Sequence, residues 1–302
     1  MTVRSALPDG PVVVIGQIGR DVVVQVDEVP DGGSSTPVTY WWEGLGGKGA
    51  NQAVGLRQLG ADVSLIGVVA DDAAGRGVLR LAERDGIDVT HVSRHGSTAA
   101  LLDVVDRHGT RRLLERVPDD ALIQRADIEA SADLLRRAGV VVLQLQQPSD
   151  ALVHAARLAR ESGTAVVLDG GVEGGARDEL LDVAHVLRAD ATEAAMLTGK
   201  EIGDRGAAQH AAQDVLAAGP QVVALTVAGE GDLVAWPGGD AFFPYSDDPV
   251  TDPTGAGDAF VAGLVTGLRR DGDAEAAGEL AAAAAASTVR RVGGRPDLTA
   301  LA

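Results

Sequence analysis

The segment Asp252-Pro253-Thr254-Gly255-Ala256-Gly257-Asp258-Ala259-Phe260 constrains this chain more than any other. An acidic, turn-rich linker precedes it, Ser246-Asp247-Asp248-Pro249, and a run from Phe260 to Arg270 follows. Phe260, Val261, Leu264, Val265 and Leu268 fall on one face of a helix in that run. Gly255-Ala256-Gly257 therefore occupies the turn into a helix. Glycines there let a ligand approach the backbone, and the unpaired first-turn N–H groups stand at the positive end of the helix dipole. That is an anion site. Asp258 is the unexpected member, because a carboxylate repels phosphate. A site that only holds phosphate has no use for it. A site that transfers phosphate to a hydroxyl needs a carboxylate to take the hydroxyl's proton. The simpler alternative is that Asp258 only charges a helix N-terminus; the flanking glycines and Asp252 favour function.

A second glycine-rich helix start lies at Gly44-Leu45-Gly46-Gly47-Lys48-Gly49-Ala50-Asn51-Gln52-Ala53, opening a helix that runs to Leu59. It fits Gly-x-Gly-x-x-Gly, with Asp71 where a dinucleotide fold places its ribose-binding acid. However, the preceding strand, Thr39 to Trp42, is not the buried apolar strand such a fold requires. Gly49 after Lys48 also excludes a Walker loop. What remains is a close-approach helix start with an amine, Lys48, and an amide, Asn51, which suits a polyhydroxy ligand. Lysine occurs only at Lys48 and Lys200, so Lys48 stands out.

The apolar strand Pro11 to Ile15 breaks at Gly16-Gln17-Ile18-Gly19-Arg20-Asp21, the kind of strand end where α/β folds bind ligands. Val22–Val29 and Thr36–Trp42 read as strands around Asp31-Gly32-Gly33, and Thr98–Asp106 with Arg111–Val117 as a hairpin. Strands are expected at Val63–Val69, Val140–Leu145, Ala165–Leu168, Val183–Leu187 and Gln221–Val227. Helices are expected at Ala73–Arg84, Asp150–Glu161, from Thr192 to Thr198, and at Gly206–Ala217. This rhythm predicts one α/β unit over residues 1–302, with a mostly parallel sheet covered by helices on both faces. The early strand pairs, within 21–46 and 97–118, break the rhythm and are expected to form a small separate sheet, a lid.

Acidic residues outnumber basic ones 44 to 26, a formal charge of −18, which argues against nucleic-acid binding by a broad basic surface. A phosphate ligand would meet a repulsive overall field, so local donors must hold it. There is no cysteine, which excludes disulfides and thiol chemistry. Met1 to Pro11 carries no apolar signal core and no run approaches membrane-spanning length, so no membrane association and a cytoplasmic location are expected. His91 and His95 have a metal-like spacing, but Ser93 and Gly96 point to strand or turn there.

Asp-Pro-Thr-Gly-Ala-Gly-Asp-Ala-Phe at 252–260 and Gly-Gly-Lys-Gly-Ala-Asn-Gln-Ala at 46–53 resemble, in the right order, the two signature motifs of the ribokinase-like (PfkB) family of carbohydrate and nucleoside kinases. The resemblance spans Val12 to Asp297. It implies an ATP-dependent kinase that phosphorylates a primary hydroxyl, with D-ribose going to ribose 5-phosphate as the leading case and another sugar or a nucleoside as alternatives. A sugar sensor without catalysis is the remaining alternative, and the intact Asp258 speaks against it. The resemblance makes Asp258 the base and Gly255, Ala256 and Gly257 the anion hole. It assigns Asp21, Gly47, Lys48, Asn51 and Gln146 to the sugar. Thr226, Ala228, Gly229 and Gly231 resemble the nucleotide loop. Asp190 with Glu193 resembles a motif linked through water to Mg²⁺, and carboxylates three apart share a helix face. Asp252, Thr254, Thr288, Arg291, Gly293 and Asp297 match positions that hold K⁺, a hard cation suited to oxygen ligands. The competing reading there is an ion pair from Arg291 or Arg295 to Asp297. A homodimer formed through the lid is also implied. Two departures from the family bear on the sugar. Gly19 replaces an Asn, which is expected to leave room for a different ligand, and Gln146 replaces a Glu. Trp41 and Trp42 could stack on a base or pack the lid.

Overall fold

The structure is a computed structural model that describes residues 7–246, 250–291 and 293–302. Asp247, Asp248 and Pro249 of the acidic linker lie outside the described residues. In chain order the strands are β1 (Val12–Ile15), β2 (Gly19–Val26), β3 (Val38–Gly46), β4 (Val63–Ile66), β5 (Val68–Val69), β6 (Ser93–Arg94) and β7 (Ala99–Val105). Then follow β8 (Arg111–Arg116), β9 (Val140–Gln144), β10 (Ala165–Asp169), β11 (Val186–Ala189), β12 (Val222–Val227), β13 (Gly231–Trp236) and β14 (Gly239–Pro244).

Eight of them form the main sheet, in the order β14-β13-β12-β11-β10-β9-β1-β4. From β12 through β4 all neighbours run parallel, and only β13 and β14 are antiparallel. The central strands are continuous apolar runs because both faces are covered. Val12, Val14, Val140 and Val142 pack into a cluster with Phe260, Leu264 and Leu268 of the helix Ala256–Arg270. Val13, Ile15, Val141 and Leu143 face the opposite cluster, with Leu152 and Ala155 of the helix Ser149–Glu161. Successive residues of one strand thus fill two cores.

The lid is a separate four-stranded sheet, β3-β2-β7-β8. Its β2 pairs antiparallel with β3 and parallel with β7, so the two sequence hairpins are sewn together edge to edge. Trp41, at 59% exposure, and Leu114, at 57%, face outward, with Tyr40 and Val38 also exposed. Trp42 points the other way and folds over Gly44, so the tryptophan pair is divided between the two lid faces.

Several element bounds differ from those read in the sequence. The run Val63–Val69 splits at Gly67, where the Gly16 carbonyl and the Ile18 side chain fill the space a side chain would need. The short β5 then pairs with β6 instead of continuing the main sheet. Val183 ends a helix, Gly175–Val183, that seats Leu180 and Leu181 in the core; the strand begins only at Val186. The hairpin of β13 and β14 went unread, although Pro237-Gly238 at its turn and the apolar run Leu233–Trp236 mark it. Among the described residues no helix is long and apolar enough to cross a membrane.

Candidate active site

The parallel strands end on one side of the sheet, and four of them carry a polar residue there: Gln144 and Asp169 are the last residues of β9 and β10, and Arg188 and Thr226 the next to last of β11 and β12. Carboxyl ends of parallel strands are where open α/β sheets bind ligands. Into this crevice point the N-termini of two helices, Lys48–Gln58 and Ala256–Arg270. These are the two glycine-rich starts singled out in the sequence, brought face to face.

Asp258 sits in the first turn of the second helix and is 6% exposed. Its Oδ2 accepts from Asn51 Nδ2 at 3.1 Å and its Oδ1 from Gln52 Nε2 at 3.2 Å. The same Gln52 amide donates to Asp169 Oδ2 at 2.7 Å. Burial, reinforced by the nearby Asp169 charge, pushes Asp258 up to about 7. That is the range in which a carboxylate both takes and holds a proton at neutral pH. Asp258 therefore does more than charge a helix end: it is desolvated and held by two side chains from another element.

Gly255 caps that helix with φ 74°, a left-handed conformation. A Cβ there would lie 2.0 Å from the Gly294 carbonyl oxygen, so the residue must be glycine for both reasons. Asp252 fixes the approach to the turn. Its Oδ1 accepts from the Thr254 N–H at 2.9 Å and the Thr254 hydroxyl at 2.6 Å, and its Oδ2 from the Gly293 N–H at 2.8 Å. Of the residues assigned to a monovalent cation, Asp252, Thr254 and Gly293 thus meet at this turn, and both carboxylates of the set have protein partners. Arg291 pairs with Asp297, which is the ion pair weighed against the cation in the sequence. Thr288 donates its hydroxyl to the Ala284 carbonyl, and its own carbonyl accepts from the Arg291 N–H.

On the lid side, Asp21 is 7% exposed, and its carboxylate lies so close to Gly46 that a Cβ there would be 1.8 Å from Asp21 Cγ. Asp21 Oδ1 has no protein partner, although it is buried. Burial, then the charges of Asp103 and Asp258, push Asp21 up to about 7. Asp103 on β7 is itself buried and pairs with Arg111 on β8, an ion pair inside the lid that the sequence did not suggest. A buried carboxylate oxygen without a partner, beside a crevice, marks where a ligand supplies the missing donor. Gly47 caps the helix Lys48–Gln58, and Lys48 Nζ donates to Glu193 Oε1 at 3.1 Å. Gln146 is exposed in the turn after β9. Its neighbour Gln144 is buried, accepts from the Gln17 N–H at 3.2 Å, and leaves Nε2 without a protein partner. Its position as the last residue of an apolar strand was the signal that could have found it. The expected room at Gly19 is taken: a Cβ there would lie 2.8 Å from Leu101 Cδ1 and 3.3 Å from the Ala99 carbonyl oxygen. A lid leucine fills what the missing side chain vacates.

Asp190 and Glu193 form a capping box at the helix Ala191–Thr198. Glu193 Oε2 accepts from the Asp190 N–H at 2.9 Å, and Asp190 Oδ1 accepts from the Glu193 N–H at 2.8 Å. Although burial opposes it, Lys48 and Arg188 hold Glu193 below the usual carboxylate range. Both Glu193 oxygens are thus committed, which does not suit a direct metal ligand; Asp190 spends one oxygen on the cap. Beyond Gly257 opens a largely apolar cleft of about 530 Å³, whose lining includes Arg188, Thr226, Tyr245, Pro253, Gly257 and Phe260. Thr226 donates to Asp232 Oδ1 at 2.7 Å, and Ala228 and Gly229 form the exposed turn before Gly231 opens β13. Arg188 is a further residue that sequence reasoning missed; nothing around it in the chain distinguishes it from other arginines. His95 Nε2 bonds Asp127 Oδ1 at 3.0 Å.

Residues 10–301 match the model of the pfkB family carbohydrate kinases. The chain belongs to that family. It is an ATP-dependent sugar kinase with the ribokinase-like fold. It is 29% identical to the ribokinase of Haemophilus influenzae, with 94% of each chain aligned. It is 32% identical to an ATP-dependent ribose-1-phosphate kinase of Halopiger xanaduensis, again over 94% of each. Among solved structures, Arabidopsis thaliana ribokinase complexed with ribose and ATP superposes with a TM-score of 0.79 at 25% identity, covering 98% of both chains.

Gly255→Ala tests the geometry of the turn into the helix Ala256–Arg270. The left-handed φ alone costs about 1–2 kcal/mol, and the collision with the Gly294 carbonyl adds to it. Thermal unfolding should show a clear loss of stability, and turnover should fall with it. A variant as stable and active as the parent would mean that this turn is not built as described.

Proposed function

We propose that the kinase transfers the terminal phosphate of ATP to the primary hydroxyl of D-ribose, giving ribose 5-phosphate. The observation that carries this reading is Asp258: a buried carboxylate at a helix N-terminus, oriented by Asn51 and Gln52 and pushed up to about 7. In the proposed reaction Asp258 accepts the hydroxyl proton while the oxygen attacks the terminal phosphorus in line. The N–H groups of Gly255, Ala256, Gly257 and Asp258 receive the developing negative charge. The sugar's other hydroxyls bond Asp21, Lys48, Asn51, the backbone at Gly47, and Gln146 from the exposed turn after β9. Asp21 Oδ1 gains in this way the donor it lacks. ATP occupies the apolar cleft beside Thr226, Ala228, Gly229 and Gly231, with its phosphates toward Gly257. The lid excludes water that would otherwise hydrolyse ATP.

One observation favours a second substrate within the same chemistry. Leu101 fills the space at Gly19, so the sugar meets an apolar contact where related kinases offer an amide. A sugar with fewer or differently placed hydroxyls, or one already bearing a phosphate, is the alternative. Mg²⁺ belongs to the proposal as the partner of ATP, neutralising phosphate charge, with Asp190 reaching it through water. K⁺ belongs to it at the loop of Asp252, Thr254, Thr288, Arg291, Gly293 and Asp297. Since the carboxylates there are already partnered, the cation would rest on carbonyl oxygens and stiffen the turn that forms the anion hole. The exposed Trp41, Leu114 and Val38, which share one face of the lid, support a homodimer formed through its outer face.

Asp258→Asn keeps the side chain's shape and removes the base. Turnover of ribose should fall by about 10²–10⁴, with sugar affinity little changed, in an ADP-release assay that screens pentoses, hexoses, phosphosugars and nucleosides. Near-parental turnover of the variant would reduce Asp258 to a helix charge. Good turnover of another substrate without any of ribose would move the assignment within the family.

The cation is tested by rates in potassium, sodium and a bulky organic cation at fixed ionic strength. Potassium should be preferred. Equal rates in all three would leave the staple made by Asp252 as sufficient for the loop.

A further inference from the structure

Arg188 lies in the crevice but has no place in the mechanism so far. Its side chain is 12% exposed, and every polar contact it makes is long. NH1 reaches Asp169 Oδ1 at 3.3 Å and Glu193 Oε2 at 3.8 Å, and NH2 reaches Thr226 Oγ1 at 3.4 Å. A guanidinium brought out of water usually closes short bidentate pairs with its carboxylates. This one is held between two carboxylates and fully engages neither.

Asp169, Glu193 and Asp232 offset the cost of burying its charge from one side, and its other side faces a helix end. An ideal Cβ on Gly257 would lie 2.7 Å from both NH1 and NH2, so the guanidinium packs against the first turn of the helix Ala256–Arg270. That turn carries the positive end of the helix dipole; the Ala256 N–H donates to the Pro253 carbonyl at 3.3 Å, and those of Gly257 and Asp258 lie in the first turn, where no intrahelical acceptor exists. An anion placed between the guanidinium and the positive helix end would be attracted by both. Both groups border the same cleft, with Arg188, Thr226 and Gly257 in its wall. The residue facing the guanidinium is a glycine, so nothing but backbone separates the two sources of positive charge.

We propose that Arg188 is a further catalytic residue, a clamp whose guanidinium binds the terminal phosphate of the donor nucleotide opposite the N–H groups of residues 255 to 258. The inference rests on the kinase reading, since it needs the phosphate at that helix end. In the transfer, a bond forms between the acceptor oxygen and the terminal phosphorus. The bond from that phosphorus to the bridging oxygen breaks, ADP leaves with the electron pair, and the acceptor's proton goes to Asp258. Arg188 keeps its own protons throughout. It holds the non-bridging oxygens, where charge is densest, in a dry site where such contacts are strongest. Asp169 and Glu193 anchor the guanidinium so that it need not reorganise when the nucleotide arrives. Asp169 also holds Gln52, which orients Asp258, so clamp and base are tied through one carboxylate.

The test compares Arg188→Gln and Arg188→Lys with the parent in turnover and in nucleotide binding. The binding probes are ADP and an ATP analogue with a methylene in place of the β–γ bridging oxygen. In Arg188→Gln, kcat should fall by about 10³ or more, the range known for arginines that contact a transferred phosphate. Affinity for the ATP analogue should fall more than affinity for ADP, because only the analogue carries the clamped group. Arg188→Lys keeps the charge but not the fork, so it should recover part of both losses. A merely structural arginine would weaken the analogue and ADP alike and lower the unfolding temperature. That result, or a kcat within tenfold of the parent, would overturn the proposal. If Arg188→Gln does not fold, the same comparison in Arg188→Lys decides: an equal loss for both nucleotides overturns it, and a selective loss for the analogue supports it. The kinase reading itself fails separately, if the parent transfers no phosphate from ATP to any sugar while the two nucleotides still bind.

Discussion

The crevice depends on a carboxylate, Asp258, kept out of water and held in place by amides from a different helix. Asn51 and Gln52 are consecutive residues of the helix Lys48–Gln58, and each donates to one oxygen of Asp258. Two glycine-rich helix starts, some two hundred residues apart in the chain, are thereby locked face to face. From there the polar contacts continue. Gln52 bonds Asp169, Asp169 meets Arg188, Arg188 approaches Glu193, and Glu193 pairs with Lys48. Lys48 stands on the same helix as Asn51, so the chain of contacts returns to where it began. A buried network of this kind is favourable only when nearly every member is satisfied. The exceptions are informative: within the network Gln52 Oε1 lacks a protein partner, and near it Asp21 Oδ1 and Gln144 Nε2 are buried without one.

The excess negative charge of the chain bears on this arrangement. A kinase with a formal charge of −18 must bring a polyanionic nucleotide to its site against its own field. The structure places two cations, Lys48 and Arg188, in the crevice along with the two helix N-termini. Each cation is matched by a carboxylate that holds it in position. Local donors at short range outweigh a diffuse surface field that salt screens.

Much of the fold was legible because the buried parallel strands are unbroken apolar runs, such as Val12–Ile15 and Val140–Leu143, which few other structures accommodate. The lid was legible as a break in the βα rhythm. The bounds that slipped did so where tertiary contacts override local preference. β2 begins early, at Gly19, because Gly46 of β3 lies opposite it, and Val63–Val69 breaks where β1's end crosses close to Gly67. Within the site, Asp258, Asn51, Lys48 and Asp21 were readable because glycine-rich turns surround or adjoin them. Gln52, Asp169 and Arg188 were not: each sits in an ordinary helix or strand, and its importance comes from partners more than a hundred residues away or across the sheet. The same holds for Leu101, which fills the space at Gly19 from a neighbouring strand that the sequence does not register against it.

The central claim is that burial and a neighbouring carboxylate tune Asp258 into a base that works near neutral pH. The direct test is the pH dependence of kcat/KM for the sugar at saturating ATP, in the parent and in Asp169→Asn. Since burial and the Asp169 charge raise Asp258 to about 7, the base is protonated below that pH and the rate should fall on the acid side. Removing the Asp169 charge should move that acid limb to lower pH, a shift that ionisation of the nucleotide cannot produce. A profile flat down to pH 5, or an acid limb that stays in place in Asp169→Asn, would contradict the account.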